Sequence, residues 1–260
     1  MSFRHKLQAS RFELKYLVDE RRTAAIRDFL RSHLVLDEYH RPECANQYQI
    51  SSLYLDNPGL ELYKQTVHGI KNRFKLRIRF YDDDPNGPAF LEIKRRITDV
   101  IRKERAMVTR EAVLRLLAGR RLDESCLVQR NGNPKSGAAL QNFCNLCDEI
   151  GARGCIYVSY WREAYVSAFS DQIRVTFDFQ LMGTPYVQGS PLTLPVAGDR
   201  PDPGGTILEI KFTDRFPGWM REMAQAFDLQ RTSVPKYVLC IDKMGIKPGR
   251  PFQTQLGMVR

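Results

Sequence analysis

Charged and apolar residues alternate in a series of short segments along this chain. Arg11, Glu13 and Lys15 are interleaved with Phe12, Leu14 and Tyr16. Lys75, Arg77 and Arg79 alternate with Phe74, Leu76, Ile78 and Phe80, and Glu92, Lys94 and Arg96 follow the same beat with Leu91 and Ile93. Lys103 and Arg105 stand two apart, and Glu209 and Lys211 lie between Leu208, Ile210 and Phe212. A strand points successive side chains to opposite faces, so each segment has one apolar face and one charged face. One such strand is ordinary. Five with mostly basic charged faces predict a sheet whose polar side meets something strongly anionic.

The same pattern places the remaining elements. Phe12 to Val18 reads as a strand, followed by a helix over Asp19 to His33 with Ala25, Ile26, Phe29 and Leu30 at helical spacing and Asp19 as its cap. Gln47 to Leu55 reads as a strand ending at Asn57-Pro58-Gly59, a turn signal, and Leu60 to Val67 as a short helix. Strands are expected over Asn72 to Tyr81, Phe90 to Arg96 and Val100 to Val108. Thr109 should cap a helix running to Leu117, and a second helix should cover Ala139 to Ile150. Arg120 to Ala138, with Asn131-Gly132-Asn133-Pro134, reads as a loop. Gly154 to Val166, Gln172 to Phe179 and Thr206 to Phe212 complete the strands, with Gly183 to Gly205 a long Gly- and Pro-rich loop. Phe216 to Phe227 reads as helix, and Val234 to Ile241 follows a Ser-X-X-Lys segment. About eight strands linked mostly as hairpins, with helices inserted, predict an α+β fold: an antiparallel barrel with helices packed outside it, in one domain.

Composition sharpens this picture. The 260 residues carry a formal net charge of +10 and are 43% hydrophobic, as expected of a globular chain with an anionic partner. No apolar run approaches the roughly 20 residues that span a bilayer, and Met1 to Ser10 lacks the apolar core of a signal peptide, so a cytoplasmic location is expected. Six cysteines are too few for a disulfide scaffold. Cys144 and Cys147 form a single CxxC inside a helical stretch, which reads as packing rather than as a metal or redox site. Asp82-Asp83-Asp84 lies in a turn between two strands and reads as a solvated hairpin tip.

Lys15, Arg77, Arg79, Lys94, Arg96, Lys103, Arg105, Arg162, Arg174, Lys211 and Lys236 are the candidate basic wall. Taken singly, each reads as a surface charge. Taken together, the same parity recurs on strand after strand, and packing many cations side by side is unfavourable without counter-charge. A barrel interior filled by a polyanion satisfies it, with Arg forking onto phosphate oxygens and Lys supplying a compact charge. Glu13, Glu92, Asp178 and Glu209 share that parity. They can pair with the bases or hold a divalent cation through oxygen ligands. There is no Walker-type glycine loop, no dinucleotide-binding G-x-G-x-x-G, and no ligand or triad spacing among His5, His33, His40 and His68. Any chemistry is then electrostatic positioning rather than covalent catalysis.

Nine segments in order resemble the triphosphate tunnel metalloenzymes (the CYTH-like superfamily), and within them the VTC (vacuolar transporter chaperone) domain of polyphosphate polymerases. They are Arg11-Phe12-Glu13-Leu14-Lys15-Tyr16, Ser52-Leu53-Tyr54-Leu55-Asp56, Lys75-Leu76-Arg77-Ile78-Arg79, Leu91-Glu92-Ile93-Lys94-Arg95-Arg96, Lys103-Glu104-Arg105, Tyr160-Trp161-Arg162, Arg174-Val175-Thr176-Phe177-Asp178, Leu208-Glu209-Ile210-Lys211 and Ser233-Val234-Pro235-Lys236-Tyr237. The resemblance implies an antiparallel barrel forming a tunnel that transfers the terminal phosphate of ATP to a growing polyphosphate chain. It implies Lys15, Arg77, Arg79, Lys94, Lys103 and Arg105 as catalytic residues, Arg162, Arg174, Lys211, Ser233 and Lys236 as phosphate-binding residues, and Glu209 as the ligand of Mn or Mg. ATP and inorganic polyphosphate are the implied partners, with no nucleic acid, and a separate membrane protein is an open partner. The hydrolase and cyclase branches typically begin Glu-X-Glu-X-Lys. Here the first Glu position is Arg11, which fits the polymerase branch better. A tripolyphosphate or nucleoside triphosphate hydrolase on the same barrel and a non-catalytic polyphosphate binder are the alternatives.

Overall fold

Apolar residues on one parity and charges on the other fix which side of each strand meets the helices. In the computed structural model, which describes residues 11–98, 100–128, 135–213 and 215–249, the strands are β1 (Arg11–Val18), β2 (Val35–Leu36), β3 (Tyr48–Asp56), β4 (Arg73–Phe80), β5 (Ala89–Ile97), β6 (Val100–Val108), β7 (Arg153–Ser167), β8 (Ser170–Pro185) and β9 (Thr206–Thr213). The helices are α1 (Glu20–Arg31), α2 (Glu61–Val67), α3 (Arg110–Leu117), α4 (Lys135–Ile150), α5 (Gly218–Ala226) and α6 (Lys236–Lys243). The sheet path runs β1-β9-β8-β7-β3-β4-β5-β6, with β2 paired to β7. The expected antiparallel α+β architecture with helices packed against strands is the one found.

The chain forms two compact units. One combines the described residues up to Tyr48 with Trp161–Gln180 and Asp202–Val234. The other combines Gln49–Tyr160, Leu181–Pro201 and the residues from Pro235 onward. Each has its own core. In the first, Tyr16, Val18, Val175, Phe177, Leu208 and Ile210 pack with Ile26 and Leu30 of α1 and Met220 and Met223 of α5. In the second, Leu53, Leu76, Ile78, Leu91, Ile93 and Ala106 pack with Val113 of α3 and Leu140 and Phe143 of α4. Core residues recur at every second strand position, which leaves the charged parity facing away from the helices.

Helix starts follow the sequence signals. Asp19 accepts a hydrogen bond from the Arg22 backbone N–H at 2.7 Å, and Thr109 Oγ1 accepts one from Ala112 N–H at 3.1 Å; each satisfies an otherwise unpaired first-turn donor. Three features differ from expectation. α4 begins at Lys135, ahead of Ala139; Asn131 to Pro134 lie outside the described residues. β8 continues past Phe179 to Pro185 through Gln180, whose left-handed φ of 50 marks a local irregularity in the strand. The two-residue β2 carries no periodic signal. The Asp82–Asp84 turn is exposed as expected, yet it also anchors its surroundings: Asp82 Oδ1 accepts from the buried Arg110 at 3.1 Å, and Asp83 Oδ1 from the Leu194 N–H at 2.5 Å. Cys144 and Cys147 are buried in α4. Burial pushes both thiols up, as fits a packing role. Among the described residues no helix is long and apolar enough to cross a membrane.

Asp56, fully buried at the end of β3, ties three elements of the second unit together. It accepts from Leu62 N–H and Tyr63 N–H at the start of α2, both at 3.0 Å, and from the Tyr237 hydroxyl of α6 at 2.8 Å. Asp56→Ala strands those donors in the interior and should lower unfolding stability by about 3 kcal/mol. Urea denaturation measures it; a loss below about 1 kcal/mol would show that water replaces the carboxylate.

Candidate functional site

The second unit assembles its charged parity around one carboxylate. Cross-strand register sets Tyr54 against Arg77, Arg77 against Glu92 and Glu92 against Arg105. Glu92 is 0% exposed. Arg77 donates to its Oε2 at 2.8 Å, Arg79 Nε lies 3.8 Å away, Lys103 Nζ is 2.6 Å from Oε1 and Arg105 Nε 3.3 Å from it. Oε1 makes no directional hydrogen bond, so its contacts with Lys103 and Arg105 are ion pairs. Burial alone would raise the Glu92 pKa; Arg77, Arg79 and Lys103 overcome it and hold the carboxyl far below the usual range.

The next row toward the β5–β6 turn has no carboxylate among its paired positions. Lys75 stands opposite Lys94, and Lys94 opposite Lys103. Like charges directly opposite on a sheet repel, so this row is a concentration of positive charge on the sheet. Burial, with Arg77 and Arg79 adding to it and Glu92 opposing, pulls Lys103 down to about 7; its side chain is 44% exposed, and solvent softens that pull. Arg105 lies over the Phe90 ring at 3.6 Å, and Arg79 donates to Ser52 Oγ at 3.3 Å. Lys236, at the start of α6, stands over the Tyr160 ring at 4.8 Å.

The first unit repeats the device. Lys15 pairs across β1–β9 with Glu209, and Glu209 across β8–β9 with Thr176. Glu209 is 4% exposed. Its contacts are Lys15 at 3.4 Å, Arg162 at 3.4 Å and Lys211 at 2.9 Å. Lys15 also reaches Glu13 at 3.3 Å, and Arg162 grips the buried Asp178 with two bonds of 2.6 and 2.8 Å. Burial would lower the Lys15 pKa, but Glu209 and Glu13 hold it above the usual lysine value; burial pulls Lys211 down. Arg174, cross-strand neighbour of Lys211, donates to the buried Asp37 at 2.6 Å and to the Tyr48 hydroxyl at 3.0 Å. Ser233 is exposed; the adjacent Thr232 N–H donates to the Lys15 carbonyl at 2.9 Å.

Of the expected wall, Arg77, Arg79, Lys103 and Arg105 thus gather on Glu92, with Lys94 in the adjoining row. Lys15, Arg162 and Lys211 gather on Glu209. The Arg11 side chain lies outside the described residues. Glu92, expected to pair with the bases or hold a cation, is the hub of its cluster; Tyr54, whose hydroxyl accepts from Arg77 at 3.2 Å, and the Asp37–Tyr48 pair behind Arg174 carried no assigned role in the sequence reading. Glu92 was legible from its Glu-X-Lys parity; Asp37 and Tyr48 lie in no repeated pattern.

Among the described residues no group of three or more His, Cys, Asp or Glu is placed to hold a metal ion. Both Glu209 oxygens already face cations. An ion there would have to take most of its ligands from phosphate oxygens, as Mg can, because the described residues offer no all-protein cage.

An antiparallel α+β fold with cations ranked on one parity of its strands defines a protein of the polyphosphate and triphosphate tunnel class. The chain belongs to the VTC domain family, whose model matches residues 10–244. No curated protein matches it. Among solved structures, the PH1819 protein of Pyrococcus horikoshii OT3 is 11% identical, with 90% of this chain and 99% of that one covered and a TM-score of 0.46. A candidate adenylate cyclase of Bacillus halodurans is 12% identical, over 86% and 95%, with a TM-score of 0.46. A candidate adenylate cyclase of Vibrio parahaemolyticus is 14% identical, over 88% and 97%, with a TM-score of 0.44. These likenesses are too distant to transfer an activity.

Glu92→Gln removes the buried negative charge and leaves its cations uncompensated. It should cost about 3 kcal/mol or more at low salt, read by urea denaturation. A depressed carboxyl stabilises the fold fully above its unfolded value, near 4.3, and loses that contribution as pH falls below it. The wild type should therefore lose stability below about pH 4 more steeply than the variant. Parallel acid profiles would show that Glu92 is not the hub.

Proposed function

We propose that this protein is a metal-dependent polyphosphate polymerase that transfers the terminal phosphate of ATP to a growing inorganic polyphosphate chain. The observation that supports the reading is the gathering of Arg77, Arg79, Lys103 and Arg105 on the one buried carboxylate of Glu92. Four cations on one carboxylate leave net positive charge, which suits a ligand with closely spaced negative charges, and a phosphate chain has one on every unit. Lys94 and Lys103 would hold phosphates of the chain, and Arg77, Arg79 and Arg105, already oriented by Glu92, would face the phosphoryl group in transfer. Orientation before the substrate arrives is what electrostatic catalysis requires, because the donors do not reorganise as charge develops.

In the reaction a terminal oxygen of the polyphosphate attacks the γ-phosphorus of ATP, the bond to the β–γ bridging oxygen breaks, and ADP leaves. No protein nucleophile is involved, consistent with the lack of a nucleophile–base pair in the sequence. Lys15, Arg162 and Lys211 would bind phosphate oxygens in the first unit, with Arg174 and Ser233 beside them and Lys236 serving the second. A divalent ion, Mn or Mg, carried by phosphates and held beside Glu209 would neutralise charge on the phosphate oxygens bound there. ATP and polyphosphate are thus the partners of the reading, and a cytoplasmic location, with a membrane protein to receive the chains, is part of it.

Incubation with ATP and Mn should give ADP and a ladder of chains on a gel stained for polyphosphate, with Lys94→Ala slower by about 100-fold or more. Phosphate release without chains would replace the polymerase with the hydrolase. Salt-sensitive binding with no turnover would leave a binding module. A second measurement concerns Lys103, held near 7 in the unliganded protein. A polyanion raises a lysine pKa, so between about pH 7 and 10 tripolyphosphate should bind with proton uptake. Titration calorimetry in buffers of different ionisation enthalpy detects this; equal heats in all buffers would exclude it, and Lys103→Met should abolish the difference.

A further inference from the structure

Within the first unit, Arg174 of β8 is held by two residues that lie far from it in sequence, and both contacts fall on one nitrogen. Nη2 donates to Asp37 Oδ2 at 2.6 Å and to the Tyr48 hydroxyl at 3.0 Å. The Tyr48 hydroxyl donates in turn to the same Oδ2 at 3.0 Å, which closes a triangle. Both N–H bonds of Nη2 are thereby used. Among the described residues Nε and Nη1 of Arg174 have no hydrogen-bond partner.

The anchor is itself fixed. Asp37 and Tyr48 are buried. Val35 and Leu36 of β2 pair with Val166 and Tyr165 of β7, and the next residue, Asp37, donates its N–H to the Ala164 carbonyl at 2.9 Å. Asp37 Oδ1 accepts from the Tyr39 N–H at 3.2 Å, and the Asp37 carbonyl lies 2.7 Å from His40 Nδ1. Burial holds the Tyr48 phenol above its usual pKa, so it stays protonated and keeps donating to Asp37. The short strand β2 thus sets one carboxylate at a fixed place beside β7.

Two roles for the triangle have opposite consequences. As a plain ion pair, Asp37 cancels positive charge beside Lys211, the cross-strand neighbour of Arg174, and weakens the site for an anion. As a brace, it fixes the direction of the guanidinium, and a fork fixed in advance loses little freedom when a phosphate arrives. The geometry favours the brace, because both bonds converge on one nitrogen and the Arg174 side chain stays 28% exposed. We propose that Asp37 and Tyr48 are positioning residues: they hold Nη2 of Arg174 so that Nε and Nη1 meet the oxygens of a phosphate chain. The proposal rests on the phosphate-binding role proposed above for Arg174.

Titration calorimetry of tripolyphosphate on the full chain tests this, with each variant kept well below its melting temperature. Arg174→Ala should weaken binding about tenfold or more. Asp37→Asn keeps the shape and removes a negative charge. It should nevertheless weaken binding, by about fivefold, where charge alone would tighten it. Tyr48→Phe removes one bond with little change of volume, should act in the same sense, and guards against an Asp37 variant that fails to fold. In the Arg174→Ala background Asp37→Asn should no longer weaken binding, whereas a general loosening of the unit would weaken it with or without Arg174. Unchanged or tighter binding by both Asp37→Asn and Tyr48→Phe, with Arg174→Ala still weak, would overturn the positioning role and leave the phosphate-binding role of Arg174 standing. Losses that add in the double variant would overturn it too. Arg174→Ala that binds like the wild type, or a wild type that binds no tripolyphosphate, would remove the role of Arg174 and the proposal with it.

Discussion

A carboxylate with no solvent exposure, held against four cationic side chains, is the constraint on which the second unit is built. Taking a charge out of water is expensive, and it is tolerated only where opposite charge and hydrogen bonds replace the water. Glu92 meets that condition through Arg77, Arg79, Lys103 and Arg105. The dependence is mutual, because those cations, crowded on β4 and β6 to either side of it, would repel one another without it. Both β4–β5 and β5–β6 are in register at this point. A slip of one residue would turn every charge into the apolar core, so the salt-bridged cluster and the core enforce the same alignment.

The local arithmetic explains why the cations remain available. One carboxylate cannot neutralise four bases. The excess is what an anionic chain would meet, and its donors are already oriented. The first unit is closer to balance: Glu13, Asp178 and Glu209 face Lys15, Arg162 and Lys211. Its carboxylates are therefore held in place by bases.

Much of this was legible in the sequence because a period of two is a strong signal when each face has its own chemistry. Phe74-Lys75-Leu76-Arg77-Ile78-Arg79 could be read as strand, face and site at once. Asp19 and Thr109 declared their helices for the same reason, a short polar side chain ahead of a helical period. What stayed hidden depends on contacts distant in sequence. Nothing near Arg174 announces Asp37, which lies 137 residues away, and nothing in Asp83 announces the Leu194 N–H that it accepts. The extra length of β8 was masked by Gly183 and Pro185, residues that normally interrupt a strand. Site roles inferred from family likeness are of another kind: geometry gathers those residues, and only chemistry can assign their tasks.

The tetrapeptide Leu-Glu-Ile-Lys occurs twice, at 91–94 and at 208–211, each time with its Glu buried and opposite a base on a strand that begins Arg-Phe-X-Leu. The two copies differ greatly in the chain length they must close. β4, β5 and β6 are consecutive hairpins, whereas β1 waits for β9, about two hundred residues later. Local pairings are reached far sooner than distant ones. During synthesis the first copy is complete before the second has left the ribosome. The strands that gather cations on Glu92 can therefore pair while the amino-terminal strand still lacks its partner, so the two copies of one motif differ in when they can form as well as in where they lie.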